Sequence, residues 1–240
     1  MLKSGVCSVT FRQLSVAEII KLTVEAELNG IEWGSDIHVP AGDAGHAAEV
    51  AQMTREAGLE VISYGSYFRC DDPAAIEPLT ISARALQAPA IRIWTGSKSR
   101  QEMSQAEQDS LVTVIRELCH AVPEIAITCE FHNNTFTDDA EGILKLIELV
   151  DCRNFRTGFQ IYSHLDNVKN AEVLEPYMGN VHVYNYDHAP LGECAALWQN
   201  MMTSFARQDR TLLMEFVKDN APENFLRDAA ELNHWLKDFR

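Results

Sequence analysis

The chain has few basic side chains for its 240 residues, and its longest Lys/Arg cluster is the short stretch KSR at residues 98–100. Its 20 Lys and Arg stand against 35 Asp and Glu, which gives a formal net charge of -15 at pH 7. Because nucleic acid phosphates are repelled by a strongly anionic surface, this balance argues against a DNA or RNA partner. We therefore expect the protein to bind no nucleic acid.

The six cysteines form no C-x-x-C pair and show no zinc-knuckle spacing. Several of them lie in apolar runs, where a free thiol packs as a small hydrophobic group. Residues 1–6 show no signal-peptide pattern, and no apolar run reaches 18 residues. We expect no membrane span, no disulfide framework, no cysteine nucleophile and a reduced, cytoplasmic location.

No G-x-G-x-x-G follows the first strand pattern, and no linker or low-complexity tract divides the chain. What is present is an alternation of strand and helix patterns in units of roughly 30 residues, the size of a β-α-β repeat. The predicted strands are residues 3–10, 30–34, 60–64, 90–94, 125–131, 157–161, 180–183 and 211–216. The predicted helices are residues 16–28, 44–57, 73–87, 105–121, 140–150, 171–177, 194–208 and 222–239. This alternation is typical of the α/β class, with a parallel sheet and outer helices. We interpret residues 1–240 as a single (β/α)8 TIM barrel domain, with a doubly wound open sheet as the alternative.

Four of the predicted strands end in polar residues. Glu130, Gln160, His182 and Glu215 follow apolar residues in the segments IAITCEFH, TGFQIY, NVHVY and LLMEFVK. Because the carboxyl ends of the strands meet at one mouth of a barrel, these side chains should converge. Carboxylate oxygens and imidazole nitrogens are ligands for divalent metals of the Mg, Mn and Co type, and the Gln160 amide could add a carbonyl oxygen, so we predict that the four residues form a divalent metal site. Glu130 and Glu215 are also the candidate acid and base.

The earlier strands carry aromatic and polar residues that could contact a sugar-like molecule. Trp33, Tyr67 and Trp94 would offer apolar walls to its C–H faces, although filling of the barrel mouth explains aromatic residues equally well. His132 lies two residues beyond Glu130 and therefore shares its face of the strand. The predicted substrate-binding residues are Trp33, His38, Tyr67, Arg69, Trp94, His132 and Lys218.

The stretches IEWGSDIHVPAGD, SYGSYFR, CEFHNNTFTD and LLMEFVKDNAPENFLRDAAEL resemble the sugar phosphate isomerase/epimerase proteins of the xylose-isomerase-like TIM barrel superfamily. The likeness runs over essentially the whole chain, and GIEWGSDIHVP is the stretch most specific to one branch. The resemblance implies a (β/α)8 barrel that binds Mn, Mg, Co or Zn at the strand ends. It also implies a Glu–Asp–His–Glu metal set, in which the two Glu residues exchange a proton at a carbon beside a carbonyl.

This sequence departs from the family pattern at one ligand. Glu130, His182 and Glu215 match the first Glu, the His and the last Glu, whereas Gln160 stands where Asp is usual. An amide is neutral and binds metal more weakly, so we expect a lower affinity or a changed metal preference. The usual D-x-x-H pairing is also missing, because Ser163 occupies its last position.

Three functions remain open from the sequence. The first is an isomerase or epimerase of a sugar, keto-sugar or related polyol that acts by proton transfer through an enediolate. The second is a non-catalytic sugar-binding barrel with a degenerate metal site, which the Gln160 replacement favours. The third is a lyase or dehydratase that uses the same enolate chemistry. Each has a small sugar-like molecule as its partner, and pairing of outer helices would give a homo-oligomer.

Overall fold

In this computed structural model, which describes residues 1–239, parallel strands close into a barrel surrounded by helices. The strands are β1 (Leu2–Cys7), β2 (Gly30–Gly34), β3 (Glu60–Gly65), β4 (Ala90–Ile93), β5 (Ala126–Cys129), β6 (Phe155–Phe159), β7 (Met178–Val183) and β8 (Arg210–Met214). The helices are α1 (Val16–Glu25), α2 (Ala44–Glu56), α3 (Ile76–Leu86), α4 (Gln105–Ala121), α5 (Ala140–Val150), α6 (Asn167–Leu174), α7 (Ala195–Phe205) and α8 (Pro222–Trp235). Neighbouring strands pair in chain order, and β8 returns to pair with β1. The (β/α)8 prediction is confirmed, and the β1–β8 pairing rules out the open sheet.

Local capping explains where several helices begin. At α1, Ser15 accepts a hydrogen bond from the backbone N–H of Glu18, and the Glu18 carboxylate accepts one from the N–H of Ser15. This reciprocal arrangement satisfies two backbone donors that the first turn of a helix leaves unpaired. Helix α6 begins before the predicted residue 171, because Asp166 caps it by accepting from the N–H of Lys169. Among the helices of residues 1–239, none has the length and hydrophobicity needed to cross a bilayer.

Side chains alternate between the two faces of each strand. In β4 the side chains of Ile91 and Ile93 are fully buried in the hydrophobic core, while Arg92 between them belongs to the buried polar set. In β2, Trp33 likewise belongs to the hydrophobic core and its neighbour Glu32 is buried and charged. The apolar core therefore lies between the strands and the helices, and charged side chains occupy the interior of the barrel.

Three strands stop just before a predicted site residue, whereas His182 lies within β7. β5 ends one residue before Glu130, β6 one residue before Gln160 and β8 one residue before Glu215. The backbone at two of these positions is still held, because the N–H of Glu130 donates to Ile93 at 2.9 Å and that of Glu215 donates to Val183 at 3.0 Å. The predicted strand 211–216 is too long, because Phe216 has a positive φ of 59° and there the chain turns away from the direction of β8.

Candidate active site

Three of the predicted metal ligands converge at the C-terminal end of the barrel. The ligand atoms of Glu130, His182 and Glu215 all lie within 4.8 Å of one another. Each side chain is buried, and Nδ1 of His182 lies 3.0 Å from Oε2 of Glu215. Two carboxylates and an imidazole match the ligand preferences of divalent metals, so this cluster fits a metal ion.

The fourth predicted ligand, Gln160, is buried beside the cluster and borders the same cleft as Glu130 and Glu215. Its Nε2 donates to the carbonyl oxygen of Phe131 and to the hydroxyl of Tyr162, both at 2.5 Å. These bonds commit the amide nitrogen and leave the amide oxygen as the atom that could bind a cation. Amide oxygens are accepted ligands of hard cations, so Gln160 can stand in for Asp as a neutral ligand.

A buried ion-pair network lies beneath the cluster. Nε of Arg92 donates to Oε1 of Glu32 at 2.9 Å, and Nη1 of the same guanidinium pairs with Oε2 of Glu130. Ser63 donates to the other oxygen of Glu32 at 2.6 Å, and Nε2 of His182 lies 3.8 Å from Oε1 of Glu32. No role was predicted for Arg92 or Glu32 from the sequence. The feature that could have indicated them is a single charged residue within each of two otherwise apolar strand segments, IEW and IRI.

The charges of this network shift the pKa values of its members. Burial disfavours the ionised form of Glu32, but Arg92, His182 and Ser63 together outweigh burial and hold the Glu32 pKa well below its usual range. Burial would also raise the pKa of Glu215, and His182 and Arg92 together outweigh this effect and lower that pKa. For His182, burial alone would lower the pKa, but the neighbouring Glu215 carboxylate acts against burial, and the pKa lies well above its usual value. Glu32 and Glu215 are therefore carboxylates at neutral pH.

Cys7 in β1 is fully buried, and its Sγ lies within 4.8 Å of ligand atoms of Glu32 and His182. Burial raises the pKa of this thiol well above its usual value. The side chain is consequently a neutral thiol at neutral pH. A buried neutral thiol is a poor nucleophile, so Cys7 is not suited to nucleophilic catalysis.

A cleft of about 370 Å³ lies above the cluster, large enough for a small organic molecule. Three predicted substrate contacts border it, namely Tyr67, Trp94 and His132. The rings of Trp94 and His132 are tilted by 36° with centroids 4.1 Å apart. The sequence analysis missed the other lining residues that come from loops: Arg12, Tyr162, Tyr184, His188 and Phe216.

His132 has a defined orientation in this cleft. Its Nδ1 lies 2.8 Å from the carbonyl oxygen of Asn133, so Nδ1 carries a proton and donates it to that oxygen. In the neutral imidazole the lone pair is then on Nε2. No hydrogen bond within residues 1–239 reaches Nε2, which leaves it available to a ligand.

Two predicted substrate contacts lie elsewhere. Trp33 is fully buried, and its Nε1 donates to Oγ1 of Thr54 in α2 at 3.1 Å, so the ring faces a helix. The ring nitrogens of buried His38 lie 3.0 Å from Oγ of Ser8 and 3.1 Å from the carbonyl oxygen of Leu14. Packing and hydrogen bonds within the protein use both side chains, and neither residue borders the cleft.

Arg69 and Lys218 also lie outside the cleft. The guanidinium of Arg69 stands 4.2 Å from the ring centroid of Trp94, and Nη1 donates to the carbonyl oxygen of Gly96 at 3.0 Å. Arg69 therefore supports an aromatic wall of the cleft and does not line it. Lys218 is exposed on the short 3-10 helix Lys218–Asn220, beyond the turn that ends β8, and it does not line the cleft.

No protein-family model matches the sequence. A 3-dehydroshikimate dehydratase of Bacillus anthracis is 25% identical over 205 residues, and the alignment covers 78% of this chain and 73% of that protein. The crystal structure of the probable 3-DHS dehydratase AsbF, involved in petrobactin synthesis in Bacillus anthracis, has a TM-score of 0.82 at 21% identity and covers 96% of this chain and 98% of AsbF. A xylose isomerase-like TIM barrel protein from Mycobacterium smegmatis, in complex with magnesium, has a TM-score of 0.71 at 12% identity and covers 98% and 97% of the two chains.

The chain has the xylose-isomerase-like TIM barrel fold. The superfamily resemblance seen in the sequence is thereby confirmed at the level of the fold. In this xylose-isomerase-like barrel the strand ends carry a cluster able to hold a divalent metal, at the place where such barrels keep their active sites.

Proposed function

We propose that the protein is a metal-dependent enzyme that removes a proton beside a carbonyl group of a small hydroxylated molecule and then eliminates water. The observation that carries this proposal is the buried cluster of Glu130, His182 and Glu215 at the floor of the cleft. The dehydratase form of the reaction is supported by the activity named for the Bacillus anthracis relative. A cyclic hydroxyketone of the 3-dehydroshikimate class is the proposed substrate.

The residues divide into binding and proton-transfer roles. A bound divalent cation supplies electrostatic stabilisation to the oxygen of a substrate carbonyl when negative charge develops there. Glu130, Gln160, His182 and Glu215 would hold it. Arg92 pairs with Oε2 of Glu130, so we assign Glu130 to binding.

Glu215 is the candidate base, since it is ionised and borders the cleft. It would take the proton from the carbon beside the carbonyl, and the C–H electron pair would become the enolate. Loss of the β-hydroxyl as water then forms the C=C bond, and Nε2 of His132, when protonated, would give that hydroxyl its proton. Tyr67 and Trp94 would cover the faces of the substrate ring.

Isomerisation or epimerisation of a sugar, keto-sugar or polyol is the second candidate function. Two carboxylates beside one metal site are the arrangement needed to remove a proton from one carbon and return it to another face or neighbour. The first step is the same, and the reactions diverge only in whether a hydroxyl leaves.

The deciding experiment incubates the protein with Mn(II) and either 3-dehydroshikimate or a panel of keto-sugars in D2O, followed by NMR. We expect new olefinic or aromatic proton signals with 3-dehydroshikimate, and their loss after treatment with a chelator. Deuterium incorporation beside a carbonyl without loss of water would instead support the isomerase. If no compound gives either new olefinic or aromatic signals or deuterium incorporation, the result would contradict both reactions and favour the non-catalytic barrel.

Gln160→Asp is expected to tighten Mn(II) binding on the order of tenfold, because added ligand charge strengthens binding of hard cations. The substitution does not orphan the carbonyl of Phe131, which still accepts the hydroxyl of Tyr162 at 3.0 Å. Gln160→Asn is the matched control, since it shortens the side chain equally without adding charge. Isothermal titration calorimetry measures both variants, and equal affinities for them would show that charge at position 160 does not limit binding.

A further inference from the structure

Glu32 in β2 contacts several residues of the cluster, although no role has been assigned to it so far. Its Oε1 accepts from Nε of Arg92 at 2.9 Å and lies 3.8 Å from Nε2 of His182. Its Oε2 accepts from Ser63 at 2.6 Å. Through Arg92, the same carboxylate is connected to Oε2 of Glu130. One side chain thus contacts one proposed metal ligand and is joined to another by a single guanidinium.

Glu32 reaches these partners from below the substrate cleft. It borders a small cavity of about 10 Å³ inside the barrel, together with Arg92, Glu130 and His182. The residues that line the cleft above include Arg92 and Glu130, and Glu32 is not among them. Any effect of Glu32 on a substrate must therefore pass through its neighbours.

The backbone of β3 leaves room for the Glu32–Arg92 pair. A Cβ atom at Gly65 would lie 2.6 Å from Oε1 of Glu32 and 2.9 Å from Nη2 of Arg92, closer than real Cβ contacts come. The Glu32 and Arg92 side chains form an ion pair and cannot move aside without breaking it. The pair therefore requires glycine at position 65, because any other side chain would occupy its space.

We propose that Glu32 is the positioning residue of the metal site, and that it fixes the imidazole of His182 directly and the carboxylate of Glu130 through Arg92. Two carboxylates flank the imidazole: Glu215 lies at Nδ1 and Glu32 lies on the side of Nε2. A histidine that binds metal through one nitrogen is usually oriented by a carboxylate at the other nitrogen. Arg92 plays the equivalent part for Glu130, because it holds Oε2 and leaves Oε1 for a cation.

This inference rests on the proposed use of the cluster as a metal centre, and Mn(II) binding without substrate tests it. Isothermal titration calorimetry of Glu32→Gln should show Mn(II) affinity 10–100-fold weaker than the wild type, the usual effect of losing such a supporting group. Glu175→Gln is the matched control. Glu175 is also a buried glutamate, paired with Arg210 at 3.1 Å at the opposite end of the barrel, so its loss should leave Mn(II) affinity unchanged.

A second pair of variants tests the same inference without removing any charged side chain. Gly65→Ala should also weaken Mn(II) binding, because the new methyl group displaces the Glu32–Arg92 pair. Gly179→Ala in β7 is its control, since a Cβ there meets its nearest neighbour at an ordinary 3.5 Å. At saturating Mn(II), the KM of Glu32→Gln for substrate should stay close to that of the wild type, because Glu32 does not border the cleft. Its kcat should fall, because His182 and Glu130 lose the group that positions them.

Wild-type affinity in Glu32→Gln would overturn the inference and leave the proposed metal site in place. Equal weakening in Glu32→Gln and Glu175→Gln would also overturn it, because the effect would then be general destabilisation. If the wild type itself fails to bind Mn(II), the proposed metal-dependent function fails and this inference fails with it.

Discussion

Replacing Glu215 with glutamine is expected to lower kcat on the order of 10³-fold without unfolding the protein. A positioned acid or base contributes about 10²–10⁴-fold to the rate, and glutamine keeps the shape of the side chain while removing its ability to accept a proton. The same substitution takes away an anionic metal ligand and the partner of Nδ1 of His182. Steady-state kinetics and deuterium exchange in D2O, each at saturating Mn(II), measure the effect.

Saturating metal separates the two roles of Glu215. If Glu215 served only to bind the cation, excess Mn(II) would restore exchange in Glu215→Gln. If it is the base, exchange stays absent although the site is filled. Glu175→Gln is the control for buried-glutamate loss and should exchange as the wild type does. Retained exchange in Glu215→Gln would remove Glu215 from the mechanism.

The fold could be predicted from the sequence because its evidence is local and repeated. Each unit carries an apolar strand followed by a helix, several of the helices have readable caps, and the count of units favours closure of the sheet. The strand-end residues Glu130, His182 and Glu215 could be predicted for the same reason, since they occupy equivalent positions in successive units. The error in the length of β8 came from Phe216, whose positive φ no apolar pattern reveals.

The walls of the site were harder to predict because they depend on the orientation of each strand. Every residue of β2 is buried, so the burial pattern does not tell whether Glu32 or Trp33 faces the barrel interior. The sequence interpretation assigned a substrate contact to Trp33 and no role to Glu32, whereas in the structure the glutamate lies inside the barrel and the tryptophan packs against α2. The partner that stabilises Glu32 is Arg92, which lies 60 residues away in the chain and two strands away in the barrel.

Replacing Arg92 with methionine is expected to destabilise the protein by about 3–5 kcal/mol, the range for removing one partner of a buried ion pair. Methionine fills part of the volume but leaves the carboxylates of Glu32 and Glu130 in the barrel interior without their shared cation. Urea denaturation at pH 7 measures the change. Arg84→Met is the control, because its pair with Glu124 is solvent-exposed and contributes at most about 1 kcal/mol.

The pH dependence of the unfolding free energy identifies why Arg92→Met loses stability. In the wild type the Glu32 pKa is held below its unfolded value of about 4.3, so its contribution to stability is present above that pH and is lost as the pH falls. Without Arg92, only the contacts with His182 and Ser63 oppose burial, and we expect the folded pKa of Glu32 to rise above the unfolded value. Its contribution is then present below about pH 4.3 and lost as the pH rises. The gap in unfolding free energy between wild type and Arg92→Met should therefore narrow from pH 7 toward pH 4. A gap that does not change with pH would mean that lost packing, and not unpaired charge, destabilises the variant.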